Sequence, residues 1–359
     1  MKSTIDAKAF ASALKKIKGV LRRSSILELE QVYVELSEKR CRLTASDLET
    51  WMSVELPAKG EAFSFAFSDT NAVTRASAHF KGSLTFDFDE KAHTLRLSCG
   101  NKGGTFQTLD AALYPTKPKL EPAQRYQIKV NDLYERVKSV SYAALDREDQ
   151  PVRSGVRFTD KRVWCVDGYR MAINESAALT VKEPFIVRAS SLLHLREFNK
   201  CKGELSVEGK YIAVKSKDLT LVCTRLEPTD ELQIEHTMPK SYAESYSVDR
   251  KQYMEALNYL RDCCRDHVRA TVAFDNGVLS LRDNGGNYSV AVTMEGTHEI
   301  GYNFRLSYMR EALKQFDGEP RVWIKTSSSV SPIIITAGGA DTAMVLPVRR
   351  MEAAAAHAA

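Results

Sequence analysis

Apolar positions fall at offsets of five, four and three in Ile128, Leu133, Val137 and Val140, within the stretch from Tyr126 to Ala144. Ile5, Phe10, Leu14 and Ile17 keep those offsets near the start of the chain, and Val248, Tyr253, Leu257 and Leu260 keep them further on. The first member of each set closes a short extended segment. The other three lie one turn apart on one helix face. Each copy is therefore expected to run from a strand into an amphipathic helix. The copies begin 123 and 120 residues apart, a domain-sized period far above that of a solenoid.

The segments after the helices recur as well. Val32, Val34 and Leu36 alternate with polar residues, turn at Ser37 to Arg40, and return through Cys41, Leu43 and Ala45 to Asp47. Val156 and Phe158 lead to Val163, Cys165 and Asp167, and Val272 and Phe274 lead to Leu279, Leu281 and Asp283. These alternations predict half-buried hairpin strands with turns in register. A second strand–helix unit is expected in each copy. Phe304, Met309, Leu313 and Phe316 repeat the offsets; Ile186, Leu195 and Phe198 fit with Ser191 interrupting them; the stretch Phe67 to Ser77 fits poorly. The expected fold class is α+β, three tandem copies of two strand–helix–strands half-units. Boundaries at Pro- and charge-rich stretches give domains 1–122, 123–243 and 244–351, with an Ala-rich tail at 352–359.

Composition narrows the class without fixing a function. Hydrophobic residues make up 43% and charged residues 27%, the balance of an ordinary globular chain. No apolar run reaches a membrane span, the start has no signal-peptide core, and seven scattered cysteines point to a reducing compartment. The net charge of +5 is too small to imply a nucleic-acid partner by itself. Its placement says more. Lys15, Lys18, Arg22 and Arg23 cluster on and after the first helix, with no acidic residue between Lys8 and Arg23. Lys138, Arg196, Lys200, Lys202, Arg310 and Lys314 lie on or after later helices. Repeated basic helices suit phosphate backbones without base readout, and no aromatics are interleaved for single-strand stacking.

Catalytic motifs are mostly absent. Gly100 to Thr105 superficially resembles a phosphate loop, but alternating segments flank it and no helix pattern comes after it, so a hairpin turn is expected. Cys263 and Cys264 are adjacent, the wrong spacing for a zinc or redox pair, and the histidines are scattered. No metal or cofactor is expected. The aligned Asp47, Asp167 and Asp283 raise a hydrolase as one alternative, though Asp at repeated turns needs no catalytic role.

Three local stretches then carry a family resemblance. Leu43-Thr44-Ala45-Ser46-Asp47-Leu48-Glu49 is similar to an LTxTDLE stretch, Val166-Asp167-Gly168-Tyr169-Arg170-Met171-Ala172 to TDGHRLA, and Met344-Val345-Leu346-Pro347-Val348-Arg349 to a closing VMPMR. Together, across three copies of this length, they resemble the bacterial DNA polymerase sliding clamp, the β subunit of DNA polymerase III. The resemblance implies a non-catalytic processivity factor, cytoplasmic and nucleoid-associated. It implies a head-to-tail homodimer with helices lining a ring and antiparallel sheets outside, around double-stranded DNA of any sequence. Twelve helices at about 9 Å per packed neighbour give a circle of roughly 108 Å, and so a bore about 24 Å across.

The resemblance also implies a peptide pocket between the second and third domains, shared by the replicative polymerase, the clamp loader and other clamp-binding proteins. Its walls would be Val166, Gly168, Tyr169, Arg170 and Met171, facing Met344, Val345, Leu346, Pro347, Val348 and Arg349, with Arg153 at a position apolar in relatives. Phe106 and the region after Leu260 are the candidates for the dimer contact. Departures are the FPDYRR-like segment, replaced by Glu227 to Leu232; Tyr169 in place of a His and Val166 in place of a Thr; and continuation past Arg349 through Arg350 and Met351. The alternative from another class is a protein-binding scaffold of three α+β domains with no DNA partner.

Overall fold

Six times along the chain a strand runs into a helix, in a computed structural model that describes residues 1–115, 118–120, 124–145, 150–199, 201–227, 234–283 and 285–349. The helices after these strands are α1 (Ala7–Ile17), α2 (Thr70–Ser77), α3 (Val130–Ser141) and α4 (Ala189–Leu192). A short α5 (Ile234–Thr237) intervenes, and α6 (Arg250–Cys263) and α7 (Leu306–Gln315) complete the six. Asp6, Asp69 and Asp249 cap three of the helices, each accepting a backbone N–H three residues on. Apolar spacing fixes the buried face: Phe10, Leu14 and Ile17 on α1, and Tyr253, Leu257 and Leu260 on α6, are all inaccessible to solvent. Among the described residues no helix is long and apolar enough to cross a membrane.

The two weakly patterned helices have specific causes. Asp69, two residues beyond the strand Phe63–Phe67, caps α2, so the helix starts late and Val73 and Ser77 take its buried positions. Ser191 is buried where a hydrophobe was expected. Its Oγ accepts the Thr50 hydroxyl at 2.7 Å, which gives the serine a hydrogen-bond partner inside the core. α4 spans only four residues before the chain tightens into a 3₁₀ helix over Leu193–Phe198.

The chain packs as two compact units, residues 1–135 with 190–226, and residues 136–189 with 227–359. In the first, strand Thr50–Gly60 pairs with Arg40–Ser46, with Lys2–Asp6, and with Leu219–Leu226. There Cys223 lies opposite Thr50 and Leu219 opposite Val54. In the second, strand Arg170–Glu175 pairs with Arg162–Val166 and with Asp341–Val345, placing Val345 opposite Arg170 and Asp341 opposite Asn174. Both pairings obey one rule: the strand beginning three residues after the repeated aspartate takes the last strand of the next copy. Also in the second unit, Gly286–Ala291, Val278–Asp283, Thr271–Asp275 and Tyr302–Arg305 form a separate four-stranded sheet.

Candidate functional site

Two of the repeated aspartates, Asp47 and Asp167, build turns, while Asp283 accepts the Arg265 N–H at 2.8 Å. Asp167 is buried; its Oδ1 accepts the backbone N–H groups of Tyr169 (2.8 Å) and Arg170 (3.0 Å), and its Oδ2 accepts Arg170 Nε (2.9 Å). Asp47 accepts the N–H groups of Glu49 (3.1 Å) and Thr50 (2.7 Å) in the same way. The residue after each aspartate has positive φ, +94° at Gly168 and +71° at Leu48. Such Asp-anchored turns need no catalytic role. Gly100 likewise occupies a turn of positive φ between the paired strands Thr94–Cys99 and Lys102–Leu109.

Strand alternation sorts the twelve residues expected to form the peptide pocket, all of which lie in the second unit. Met171 sits opposite Met344, and the Leu346 N–H donates to the Tyr169 carbonyl at 2.8 Å, carrying the ladder past the strand end. Met344 and Leu346 share one face with Trp164, Val166 and Met171, in an apolar cluster that also holds Ile173, Ile234, Ile334, Met238 and Tyr242. Val345 faces the opposite side and is wholly buried in the main core with Ala343. It cannot line a groove. Met171 and Met344 are buried beneath the face and form its floor. Val166, Leu346, Pro347 and Val348 are half-buried, while Arg153, Gly168, Tyr169 and Arg349 are exposed.

Two hollows open on this unit. One, about 520 Å³, is lined by Arg162, Ile173, Glu175, Ile234, Met238, Gly339, Ala340 and Thr342. The other, about 440 Å³, is lined by Gly301, Tyr302, Asn303, Ser329, Val330, Val348 and Arg349. Among the described residues the buried Asn303 side-chain oxygen has no hydrogen-bond partner, although its backbone carbonyl accepts the Val348 N–H at 2.8 Å. A buried acceptor without a donor invites one from a ligand. Sequence reading missed Ile234, Met238, Tyr242 and Asn303. The i, i+4 spacing of Ile234 and Met238 was the available signal. Of the replaced segment Glu227 to Leu232, the described residues include only Glu227.

Arg170 is engaged within the protein. It pairs with Asp167 and Glu311, and its guanidinium lies over the rings of Tyr308 (4.5 Å) and Tyr142 (5.6 Å). Burial acts to lower its pKa, but the carboxylates of Glu311 and Asp167 outweigh that and raise it. It therefore stays charged and unavailable as a simple anion receptor.

The basic residues are placed less uniformly than their sequence positions imply. Lys15 and Arg23 are exposed, and Lys18 is half-buried. Arg22 is tied to Asp47 (3.4 Å) and donates to Ser190 Oγ (3.2 Å). Arg196 pairs with Glu197 (2.9 Å), and Arg310 donates twice to Asn258 Oδ1 (3.0 and 2.8 Å). Lys138 and Lys314 project from α3 and α7. Lys202 begins a strand rather than ending a helix. Lys200, Arg350, Met351 and the tail lie outside the described residues. Of the dimer candidates, Phe106 is half-buried on strand Lys102–Leu109, whereas Leu260 is wholly buried in the core and cannot itself face a partner.

His194 shows how crowded the first unit's basic cluster is. Burial, then the charges of Arg196 and Arg22, lower its pKa from 6.5 to about 4. The imidazole is neutral when folded, so the unfolded chain binds the extra proton as pH falls through 6.5. Stability is expected to fall between pH 6.5 and about 4, by up to roughly 3 kcal/mol. Urea unfolding midpoints across that range should flatten in His194→Gln; an unchanged slope would contradict the assignment.

The whole chain has the fold of the bacterial DNA polymerase sliding clamp. The DNA polymerase III subunit beta of Pseudomonas aeruginosa superposes with a TM-score of 0.88 at 18% identity, covering 98% of this chain and 100% of that one. The sliding clamp of Bacillus subtilis gives 0.87 at 16%, covering 98% and 99%, and the beta subunit of Thermotoga maritima gives 0.86 at 17%, covering 97% and 99%. No family model and no curated protein matches the sequence.

Proposed function

We propose that this protein is a DNA polymerase sliding clamp, a non-catalytic processivity factor. Its three clamp domains are 1–122, 123–243 and 244–351, and two chains close head to tail around duplex DNA. The observation that carries this reading is the full-length likeness to clamps, at 97–98% coverage of the chain. The groove around Val166, Tyr169 and Leu346 takes an extended peptide of a polymerase, clamp loader or other partner, with Met171 and Met344 beneath it. Flexible methionines let such a floor repack for several partners.

The pairing rule of the strands supports closure. Strand Gly286–Ala291 begins three residues after Asp283, and among the described residues it pairs only with Val278–Asp283. Lys102–Leu109 is the last strand of the first copy. It pairs with Thr94–Cys99, touches Phe63–Phe67 only at Thr108 and Leu109, and accepts from Ser68 at the Gln107 carbonyl, so residues 102 to 106 keep a free edge among the described residues. Unpaired edges are templates for another strand. Extending the rule puts strand Gly286–Ala291 of one chain against strand Lys102–Leu109 of another, which carries Phe106. Small-angle scattering across a concentration series tests this. A particle with twice the mass of the chain and the distance distribution of a hollow disc is expected. A particle with the mass of one chain at every concentration would overturn the ring.

A further inference from the structure

At the rim of the groove, Arg153 has no carboxylate partner among the described residues. Arg153 is exposed, and its guanidinium lies over Gly168, where an added Cβ would meet its Nη1 at 3.4 Å. Its backbone is fixed, since its carbonyl accepts the Leu145 N–H at 2.8 Å and its own N–H donates to Gln150 O at 3.1 Å. Its side chain donates only to the neutral Gln150 side-chain oxygen, at 3.3 Å, among the described residues. The carboxylates of the same region are engaged. Asp167 and Glu311 hold Arg170, and Glu175 pairs with Arg162 at 3.0 Å. Asp341 accepts from Ser139, Asn174 and Gln315. Exposed Tyr169 follows Gly168 in the chain and its carbonyl accepts the Leu346 N–H at 2.8 Å, and half-buried Leu346 and Val166 belong to the apolar cluster.

We propose that Arg153 makes the groove selective for peptide segments that carry a carboxylate beside their apolar anchor. The inference rests on the reading of this face as a peptide groove. An apolar side chain entering over Leu346 displaces water from the rim and brings the next residues of an extended peptide alongside the guanidinium. A carboxylate there accepts charge-assisted hydrogen bonds, which Arg offers in a planar fork. An amide of the same shape keeps a hydrogen bond but loses the charge. The discrimination is that of a partly exposed ion pair, so it is modest and salt-dependent.

Fluorescence polarisation with labelled twelve-residue peptides carrying a central Leu-Leu pair, and Glu or Gln at each flanking position in turn, tests the proposal on the full chain. One flanking position is expected to favour Glu over Gln by about three- to tenfold at low salt, shrinking toward unity as salt rises. That preference should vanish in Arg153→Gln, persist in part in Arg153→Lys, and remain in Arg349→Gln. Equal affinity of Glu and Gln peptides at every position, with binding intact and sensitive to Leu346→Asp, would overturn the role of Arg153 while leaving the groove. A preference that survives Arg153→Gln, or is lost in Arg349→Gln instead, would also overturn it. If no peptide binds at all, the groove reading fails and the proposal falls with it.

Discussion

Leu346→Asp is expected to weaken binding of a Leu-Leu-anchored peptide by at least about 100-fold while the protein stays folded. The side chain is half-buried on the face above Met344 and Met171, just past the end of strand Asp341–Val345. A bound apolar anchor would have to strip water from the new carboxylate. That costs several kcal/mol unless a partner is supplied, more than the roughly 2.8 kcal/mol that a 100-fold loss requires. Partial exposure of Leu346 in the free protein limits the damage to folding, because an aspartate there can keep much of its hydration. Met171 is the wrong place for the same experiment. It has no exposed surface, so an acidic substitution would disrupt the core under the groove and confuse loss of binding with unfolding. Titration by fluorescence polarisation, with thermal unfolding as the control for integrity, gives the result. Affinity within a factor of three of the unsubstituted protein would exclude this face as the anchor site.

On closed DNA the expected result is persistence that affinity cannot explain. After incubation at micromolar concentration with a nicked circular duplex, the protein should co-elute with the circle through gel filtration in 0.5 M salt. Cutting the circle should release it at least tenfold faster. Groove-binding proteins lose several orders of magnitude of affinity at such salt, on circles and linear DNA alike. A topological link depends on closure, which salt does not screen. Lys15→Glu with Arg23→Glu, two exposed positions near the end of α1, should slow capture without shortening the stay on the intact circle. Equal release from circular and linear DNA would favour the protein-binding scaffold over the clamp.

Fold and side-chain chemistry weigh differently. Fold likeness across the full length is strong at 16–18% identity because backbone architecture outlasts sequence, whereas side-chain chemistry at that distance has to be read residue by residue. The engaged state of Arg22, Arg170, Arg196 and Arg310 illustrates the difference. Each looks like an available cation in sequence, and each is tied by a carboxylate, amide or ring. Lys15 and Arg23 have no such tie among the described residues and remain the better candidates for phosphate contact.

The amino-acid sequence by itself determined the strand-to-helix units whose apolar residues keep the five-four-three spacing. α1, α3, α6 and α7 obey it because one helix face must bury a contiguous stripe, and that requirement is local. It also determined the turns at Asp47 and Asp167, where one carboxylate folds its own neighbouring N–H groups around it. α2 and α4 escaped the pattern. A late capping residue and a serine satisfied by Thr50, far away in the chain, replace the expected hydrophobes. Only the tertiary structure decided which face of Asp341–Val345 meets the groove. A stretch of apolar residues does not say which alternate members point inward, and pairing with Arg170–Glu175 turned Val345 into the core and left Met344 and Leu346 on the groove side. It likewise decided that Leu260 packs inside and that Arg153 lies over Gly168. Those facts depend on segments brought together across long sequence separations, which no local pattern encodes.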